Sequence, residues 1–499
     1  MRVVLATNQF PKFSETFIVR QLLGLLELGW DMHVVCPSSD PAQWDFYPEL
    51  RDDDELRARV HPTRDFETTV AGLRADLVHF EFGAVAVGRT DAVARTGARQ
   101  LVTFRGYDLN YFRAENPHCY DEVWEHADAV HVVSTDLWQR ARRRGCPADK
   151  RHEIIHDAVD LDAFTPEGRE YAPVVGTPER PLRVLSVGRL HWKKGYEFGL
   201  EAVRLLVDAG VRCEYRVVGD GEHREAVVYT IDDLGLGDVV RLEGARRGDE
   251  VNEALLWADV LLHNAVSEGF CVAALEAQAT GLPVVCTDAD GLRENVAHGE
   301  TGIVVRRRDP AAATQALREL AGSPTLRRLM GANGRRRAAM FSFEEQHRRF
   351  DRLYRSILAP GASDVAPAAD SFGENGAARP DGDADRVLEA LTTQVPAEAT
   401  VLVVSRGDDG LVAFERWRAS HFPQDEEGGY AGFYPADSGE AISHLEDLRA
   451  GGAEYLVFPP TARWWLEHYR GLRMHLESTY RVDPSPAGGC VVVSLTGGR

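Results

Sequence analysis

Short runs of apolar and β-branched residues recur over positions 2–287, each followed by a longer stretch with helical spacing. They read RVVLATN, MHVVCP, ADLVHF, RQLVTF and ADAVHVV, then LRVLSVG, CEYRVVG, ADVLLHN and LPVVCT. Runs that are apolar at every position suit strands covered on both faces, so the pattern predicts parallel sheets sandwiched between helices. At 499 residues the chain exceeds what one core usually fills, which favours two or three domains.

The register of the runs changes after DLDAFTPEG, and APVVGTPERP (172–181) is rich in proline. This predicts one α/β domain at 1–171 and a second at 181–340, facing one another across a cleft. Residues 359–384, APGASDVAPAADSFGENGAARPDGDA, hold Val365 and Phe372 as their only larger apolar side chains. They bury too little to fold and predict a flexible linker. Beyond it, 385–499 reads as a small α/β domain with strands ATVLVVS, EYLVFPP and CVVVSL. Its helices are expected from about Ser438 to Ala450 and over ARWWLEHYRGLRMHLESTY. Its aromatic, Gly-rich loop HFPQDEEGGYAGFYP is expected either to pack against Trp464 and Trp465 or to form a binding surface.

Basic residues number 57 against 78 acidic ones, a net charge of −21, and lysine occurs only at 12, 150, 193 and 194. That balance disfavours a nucleic-acid partner. Seven cysteines without CxxC spacing suggest neither a disulfide framework nor a zinc site and fit a reducing cytoplasm. The opening MRVVLATNQF lacks a signal peptide's apolar core, and no apolar run approaches about 18 residues, so no membrane span is expected. Arginine clusters at Arg140, Arg142, Arg143 and Arg144 and at Arg335, Arg336 and Arg337 read as solvated helix ends. The first cluster is also compatible with peripheral docking on the inner face of an anionic membrane.

Two motifs carry chemistry. GRLHWKKG (188–195) follows a strand and sets Arg189 and Lys194 where open α/β sheets bind ligands, and two cations there suit a diphosphate. SEGFCVAALEAQATGLPVV (267–285) predicts a helix that starts just after Gly269 and stops at Gly281 and Pro283. Its start would leave the N–H groups of Phe270, Cys271 and Val272 free for phosphate. Glu268 precedes this helix and Glu276 lies inside it. Eight residues of helical rise separate them by roughly 12 Å, beyond the roughly 5 to 9.5 Å of paired glycosidase carboxylates. Two contacts on one long ligand, or two unrelated surface charges, fit better than an acid/base pair. VVGDGEH has Gly219 and Gly221 but no third glycine, so a dinucleotide fingerprint is incomplete.

Taken in order, GRLHWKKG, VVGDGEH, SEGFCVAALEAQATGLPVV and DGLRENVAHGETGIVV resemble the donor-binding domain of retaining GT-B glycosyltransferases of family four. NQFPKFSETFI is similar to the first loop and helix of the branch that makes exopolysaccharides of the colanic-acid type. IIHDAVDLDAFTP resembles the family's interdomain stretch, and FSFEEQHRRFDRLYRSIL (341–358) its terminal helix, which crosses back to the first domain. The resemblance implies two Rossmann-like domains facing a cleft and transfer of a hexose from a UDP- or GDP-sugar to a hydroxyl of a glycan or lipid-linked glycan. It implies no cofactor and no required metal. Arg189 and Lys194 would hold the diphosphate, Glu276 the ribose, and Glu268 would lie near the transferred sugar. Gly188, Gly219, Gly269, Phe270, Cys271 and Val272 would surround the donor, and Phe13, Ser14, Glu15, Gly106 and Asp108 would face the acceptor.

Three departures stand out. TFRGYD places Arg105 where the family carries histidine; it is expected either in the active site, donating to a hydroxyl or phosphate, or in a salt bridge to Asp108. DADGLRENV replaces a Gly-Gly-x-Pro-Glu element, a change that bears on the donor-sugar pocket. IHDAVD has Asp157 and Ala158 in place of Asn-Gly, expected to alter only a turn. Two other readings stay open: a nucleotide-sugar or glycan-binding protein without turnover, and a scaffold whose C-terminal domain recruits a protein partner.

Overall fold

A computed structural model describes residues 1–359 and, of the remainder, 383–405, 409–414, 416–424, 429, 435, 438–463, 465–484 and 489–496. Most of the 359–384 stretch, most of the HFPQDEEGGYAGFYP loop, and Trp464 lie outside the described residues.

The first sheet comprises β1 (Arg2–Ala6), β2 (Asp31–Cys36), β3 (Val60–Pro62), β4 (Leu77–Phe80), β5 (Arg99–Phe104), β6 (Ala129–Val132) and β7 (His152–Ile154). Their order is β3-β2-β1-β4-β5-β6-β7, parallel throughout. The second comprises β8 (Leu182–Val187), β9 (Cys213–Val218), β10 (Val240–Gly244), β11 (Val260–His263), β12 (Val284–Thr287) and β13 (Gly302–Val305). It too is parallel, in the order β10-β9-β8-β11-β12-β13. These are the two Rossmann-like sheets expected. In each, strand order reverses beside the first strand, between β1 and β4 and between β8 and β11. The crevice beyond the strands' carboxyl ends opens at those points.

Residues 365–499 form a separate compact unit. Its mixed sheet runs β15-β14-β16-β18-β17, where β14 is Thr400–Val403, β15 Arg418–His421, β16 Tyr455–Phe458, β17 Arg481–Pro484 and β18 Val491–Ser494. Leu402, Phe422, Leu456, Trp465 and Leu472 fill its core. The helix Ser438–Ala450 forms where expected, but the expected long helix breaks into Trp465–His468 and Arg470–Thr479. Tyr469 leaves helical geometry at the break and donates its hydroxyl to the carbonyl of Pro435 at 2.7 Å. Among the described residues no helix is long and apolar enough to cross a membrane.

The helix Phe343–Leu358 lies on the first sheet although it follows the second. Phe350, Leu353, Tyr354 and Ile357 enter the same core as Val3, Leu5 and Trp30, and Trp30 Nε1 donates to Asp351 at 2.9 Å. Val159 N donates to Phe341 O at 2.9 Å, so the strap leading out of the first domain pairs with the strap leading back. The returning helix packs on helix Thr16–Glu27 through Gly24. A Cβ there would fall 1.9 Å from His347 Nδ1 and 2.6 Å from its Cγ, so the whole ring would have to move. Gly24→Leu is expected to destabilise this unit by about 1–3 kcal/mol, measured as a lowered urea midpoint at unchanged slope.

Candidate functional site

At the carboxyl end of β8 the chain turns through Gly188, and Gly219 at the end of β9 approaches it closely. A Cβ on Gly219 would sit 2.0 Å from Gly188 O. Tyr196 donates its hydroxyl to Gly188 O at 2.7 Å, and a short turn, Trp192–Lys194, carries Lys194 inward. Its ammonium donates to Glu268 Oε2; Glu268 is buried and Lys194 largely so. His263 Nε2, at the end of β11, lies 3.3 Å from the same oxygen and 3.3 Å from Cys271 Sγ. Burial alone would raise the pKa of Glu268, but Lys194 and His263 hold it well below the usual carboxylate range. For His263 the balance also favours the charged form: burial presses its pKa down, yet Cys271 and Glu268 raise it to about 9. Arg189 is exposed and forms no ion pair or hydrogen bond among the described residues.

The helix after Glu268 runs Val272–Ala279, two residues later than its sequence suggests. Cys271, its N-cap, has φ +76°, a left-handed turn that costs a non-glycine residue about 1–3 kcal/mol and is found where surroundings or function demand it. No side chain caps this end. Ahead of the helix Gly269 N–H donates to Glu268 Oε1 at 3.2 Å, and the Phe270 ring is buried against His156 and Phe341. The N–H groups singled out, those of Phe270, Cys271 and Val272, donate to no protein acceptor among the described residues. The carboxyl of Glu276, inside this helix, accepts no hydrogen bond among the described residues, and burial alone raises its pKa to about 8. It is a carboxylate without donors, in a place where a ligand would supply them.

The first domain meets this site backbone to backbone. A Cβ on Gly106 would lie 3.2 Å from Gly269 N, and one on Gly269 would lie 3.3 Å from Gly106 N, so two glycines permit the approach. Asn110 Nδ2 donates to Ser267 Oγ at 2.6 Å and to Asp290 Oδ2 at 3.2 Å, while Arg140 donates to Asp290 Oδ1 at 2.6 Å. From its own side Asp290 accepts Ser267 Oγ at 2.9 Å, Glu268 N at 3.1 Å and Arg307 at 3.2 Å. Glu294 accepts the N–H groups of Thr135 and Asp136 at 2.9 and 3.1 Å, at the start of helix Thr135–Arg143. Within DADGLRENV, therefore, Asp290 and Glu294 bridge the two domains.

Arg105 follows β5, and its surroundings correct two expectations. Asp108 does not pair with the guanidinium; it accepts Arg105 N at 2.9 Å and Ala84 N at 2.9 Å, so it braces the turn. The guanidinium donates to Asp157 Oδ1 at 2.7 Å, lies 3.8 Å from Glu81, and stacks 3.6 Å over the Phe17 ring. Asp157 thus holds the Arg105 guanidinium and does more than shape a turn. Glu81 is fully buried, and burial, partly offset by Arg105, raises its pKa to about 7. Behind it Gln21 donates to Glu81 Oε1 at 3.0 Å, and His79 reaches Thr103 and Tyr354 at 2.6 and 2.7 Å. On the neighbouring loop the Phe13 and Phe46 rings meet at a tilt with centroids 4.6 Å apart, Glu15 pairs with Lys12 at 2.5 Å, and Ser14 is exposed.

The arginine clusters are not free cationic surfaces. Arg144 donates to the carbonyls of Asp108, Phe112 and Arg113, Arg142 to Cys146 O, and Arg140 to Asp136 and Asp290. Arg335 ties Leu161 O, Phe164 O and Ala279 O together, Arg336 donates to Asn333, and Arg337 holds the carbonyls of Glu294 and Asn295. Of the first cluster, Arg140, Arg142 and Arg144 are engaged in these contacts, and Arg143 is exposed.

His263, Glu268 and Cys271 offer three ligand atoms within 4.8 Å of one another. The Lys194 ammonium already occupies Glu268 Oε2, and the charge of Lys193 also bears on Glu268. Positive charge packed this way opposes a divalent cation and favours an anion.

Comparison with known proteins places these motifs. The family model for glycosyl transferases group 1 matches residues 169–337, and that for a glycosyl transferase 4-like domain matches 14–155. A D-inositol 3-phosphate glycosyltransferase of Corynebacterium urealyticum is 31% identical over 321 residues, covering 60% of this chain and 74% of that protein. The amylovoran biosynthesis glycosyltransferase AmsK of Erwinia amylovora is 25% identical over 64% of this chain and 90% of its own length. WcaL of Escherichia coli, named for colanic acid biosynthesis, is 27% identical over the same shares. Among solved structures, the sucrose-phosphate synthase of Thermosynechococcus elongatus shares the fold, with a TM-score of 0.61, 20% identity, and 72% of this chain and 100% of that one covered. HepE of Anabaena, solved with UDP and glucose, gives 0.60 at 15% identity, covering 71% and 100%.

Glu294→Ala is expected to speed deuterium exchange of the Thr135 and Asp136 amides about tenfold, the loss of roughly 1–1.5 kcal/mol of protection. Because the folded pKa of Glu276 is raised to about 8, the native state holds an extra proton from about pH 4.5 to 8, and stability falls as pH rises through that window. Glu276→Gln is expected to remove this fall, so its thermal midpoint should exceed that of the parent at pH 8.5 and match it more closely at pH 5.

Proposed function

Given that the chain belongs to the group 1 glycosyltransferase family, we propose that it is a retaining hexosyltransferase moving a hexose from a UDP- or GDP-sugar to a hydroxyl of a glycan, free or lipid-linked, in exopolysaccharide assembly. The polysaccharide reading is supported by WcaL and AmsK, both named for that work. The donor reading rests above all on one arrangement. Unpaired Arg189, largely buried Lys194 and the uncapped start of helix Val272–Ala279 converge near Glu268, and Glu276 lacks donors inside the same helix.

In this reading the diphosphate lies between Arg189, Lys194 and the first-turn N–H groups of the helix, where charge grows as the sugar–phosphate bond lengthens. The resident cations do this work, and no divalent ion is required. The ribose hydroxyls donate to Glu276 and so meet the cost of its burial. Glu268 is held ionised by Lys194 and His263 and steadies positive charge at the anomeric carbon. It is a poor proton shuttle, which favours departure and attack on one face with retained configuration. Arg105, fixed by Asp157 and stacked on Phe17, presents donors to a sugar hydroxyl from the first domain. Closure of the cleft brings the two sides together and excludes water. Free cysteines suit a cytoplasmic enzyme, which meets a lipid-linked acceptor at the inner face of the membrane.

Lys194→Ala is expected to lower kcat about a hundredfold or more while changing nucleotide affinity less, as for a group acting mainly in the transition state. Glu276→Ala should weaken UDP or GDP binding about tenfold or more, measured calorimetrically. Undiminished transfer in both variants would remove the basis for this site, and NMR of the product should show the donor's anomeric configuration.

A further inference from the structure

The mouth of the cleft carries aromatic residues from both domains that the donor site does not use. Tyr107 lies in helix Gly106–Asn110 of the first domain and Tyr111 just after it, while His191 and Trp192 belong to the GRLHWKKG loop of the second. The Tyr111 ring is 5.9 Å from that of Trp192, 6.2 Å from His191 and 4.9 Å from Tyr107. The Lys193 ammonium is 6.0 Å from the Tyr111 ring centre. Tyr107 and Trp192 are each 44% exposed, and Tyr111 between them joins their rings into one aromatic patch. The Tyr111 hydroxyl has no hydrogen-bond partner among the described residues, and it lies within electrostatic reach of Arg189 and Glu268.

We propose that Tyr107, Tyr111 and Trp192 form a platform for a pyranose ring of the acceptor saccharide. One face of a pyranose presents C–H groups of partial positive charge, which suit the negative π face of an aromatic ring, and its hydroxyls radiate from the edge. The polar groups beside the rings are the Lys193 ammonium, 6.0 Å over the Tyr111 ring, the His191 imidazole and the Tyr111 hydroxyl. The position fits an acceptor that must reach the reacting carbon. Trp192 is two residues from Lys194, and Tyr107 adjoins Gly106, whose backbone meets Gly269. A nucleobase fits less well, because two of the three rings come from the first domain, whereas a Rossmann domain binds its nucleotide at its own strand ends. The platform is complete only when the cleft is closed, so it couples acceptor binding to closure. The inference rests on the donor placement proposed above.

Saturation-transfer NMR on the full chain tests it, with methyl β-D-glucopyranoside and methyl α-D-mannopyranoside as probes and UDP or GDP present. Transfer to the ring C–H protons is expected in the parent. It should weaken about three- to tenfold in Trp192→Ala and in Tyr111→Ala and be largely kept in Trp192→Tyr, with nucleotide affinity within about twofold. Circular dichroism checks that the variants are folded. No transfer in the parent, undiminished transfer in both alanine variants, or a tenfold loss of nucleotide affinity in Trp192→Ala would overturn the proposal, the last by giving the platform to the base. If the parent binds neither nucleotide, the donor placement fails instead, and the same pyranoside comparison on the nucleotide-free protein still decides the platform.

Discussion

The carboxylate of Asp290 is buried and serves two domains at once. It takes donors from Asn110 and Arg140 on one side of the cleft and from Ser267, Arg307 and the backbone of Glu268 on the other. A buried carboxylate is costly unless its lone pairs are filled, and here they are filled only when both domains are in place. The same group fixes the backbone that carries Glu268. Bringing the domains together and setting the central carboxylate at its angle are therefore one event, and the glycine-to-glycine approach of Gly106 and Gly269 is the clearance that permits it.

The fold was legible in the sequence where strands are covered on both faces. The nine runs picked out by their apolar continuity are all strands. β3, β7, β10, β13, β15 and β17 went unseen, and every one is an edge strand. Edge strands are short and half in water, as the partly exposed residues of Val60–Pro62 and Val240–Gly244 show, so they leave no continuous apolar run to detect. The helix after Glu268 started late for a related reason: nothing in GFCV announces that a cysteine will adopt a left-handed turn.

The site was legible as a set of residue types and much less as a set of partners. Arg189, Lys194, Glu268 and Glu276 could be named because scarce lysines and fixed spacing marked them. That Arg105 would choose Asp157, 52 residues away, over Asp108, three residues away, depends on which loops the sheet brings together. The arginine clusters mislead in the same way. A run of like charges looks solvated until the carbonyls it will cap are known, and those carbonyls lie on other elements. The Glu81 network with Gln21 and His79 left no sequence signal, since Gln21 stands 58 and 60 residues from the other two, and His79 and Glu81 are each flanked by apolar residues.

The returning helix Phe343–Leu358 makes the second Rossmann domain an insertion within the first. Phe350, Leu353, Tyr354 and Ile357 complete a hydrophobic core that begins at Val3. A ribosome must therefore make the whole second domain before the first domain receives its last core residues. The chain's earliest strands leave the ribosome well before the helix that covers their apolar surface, while the inserted domain has all its strands beforehand.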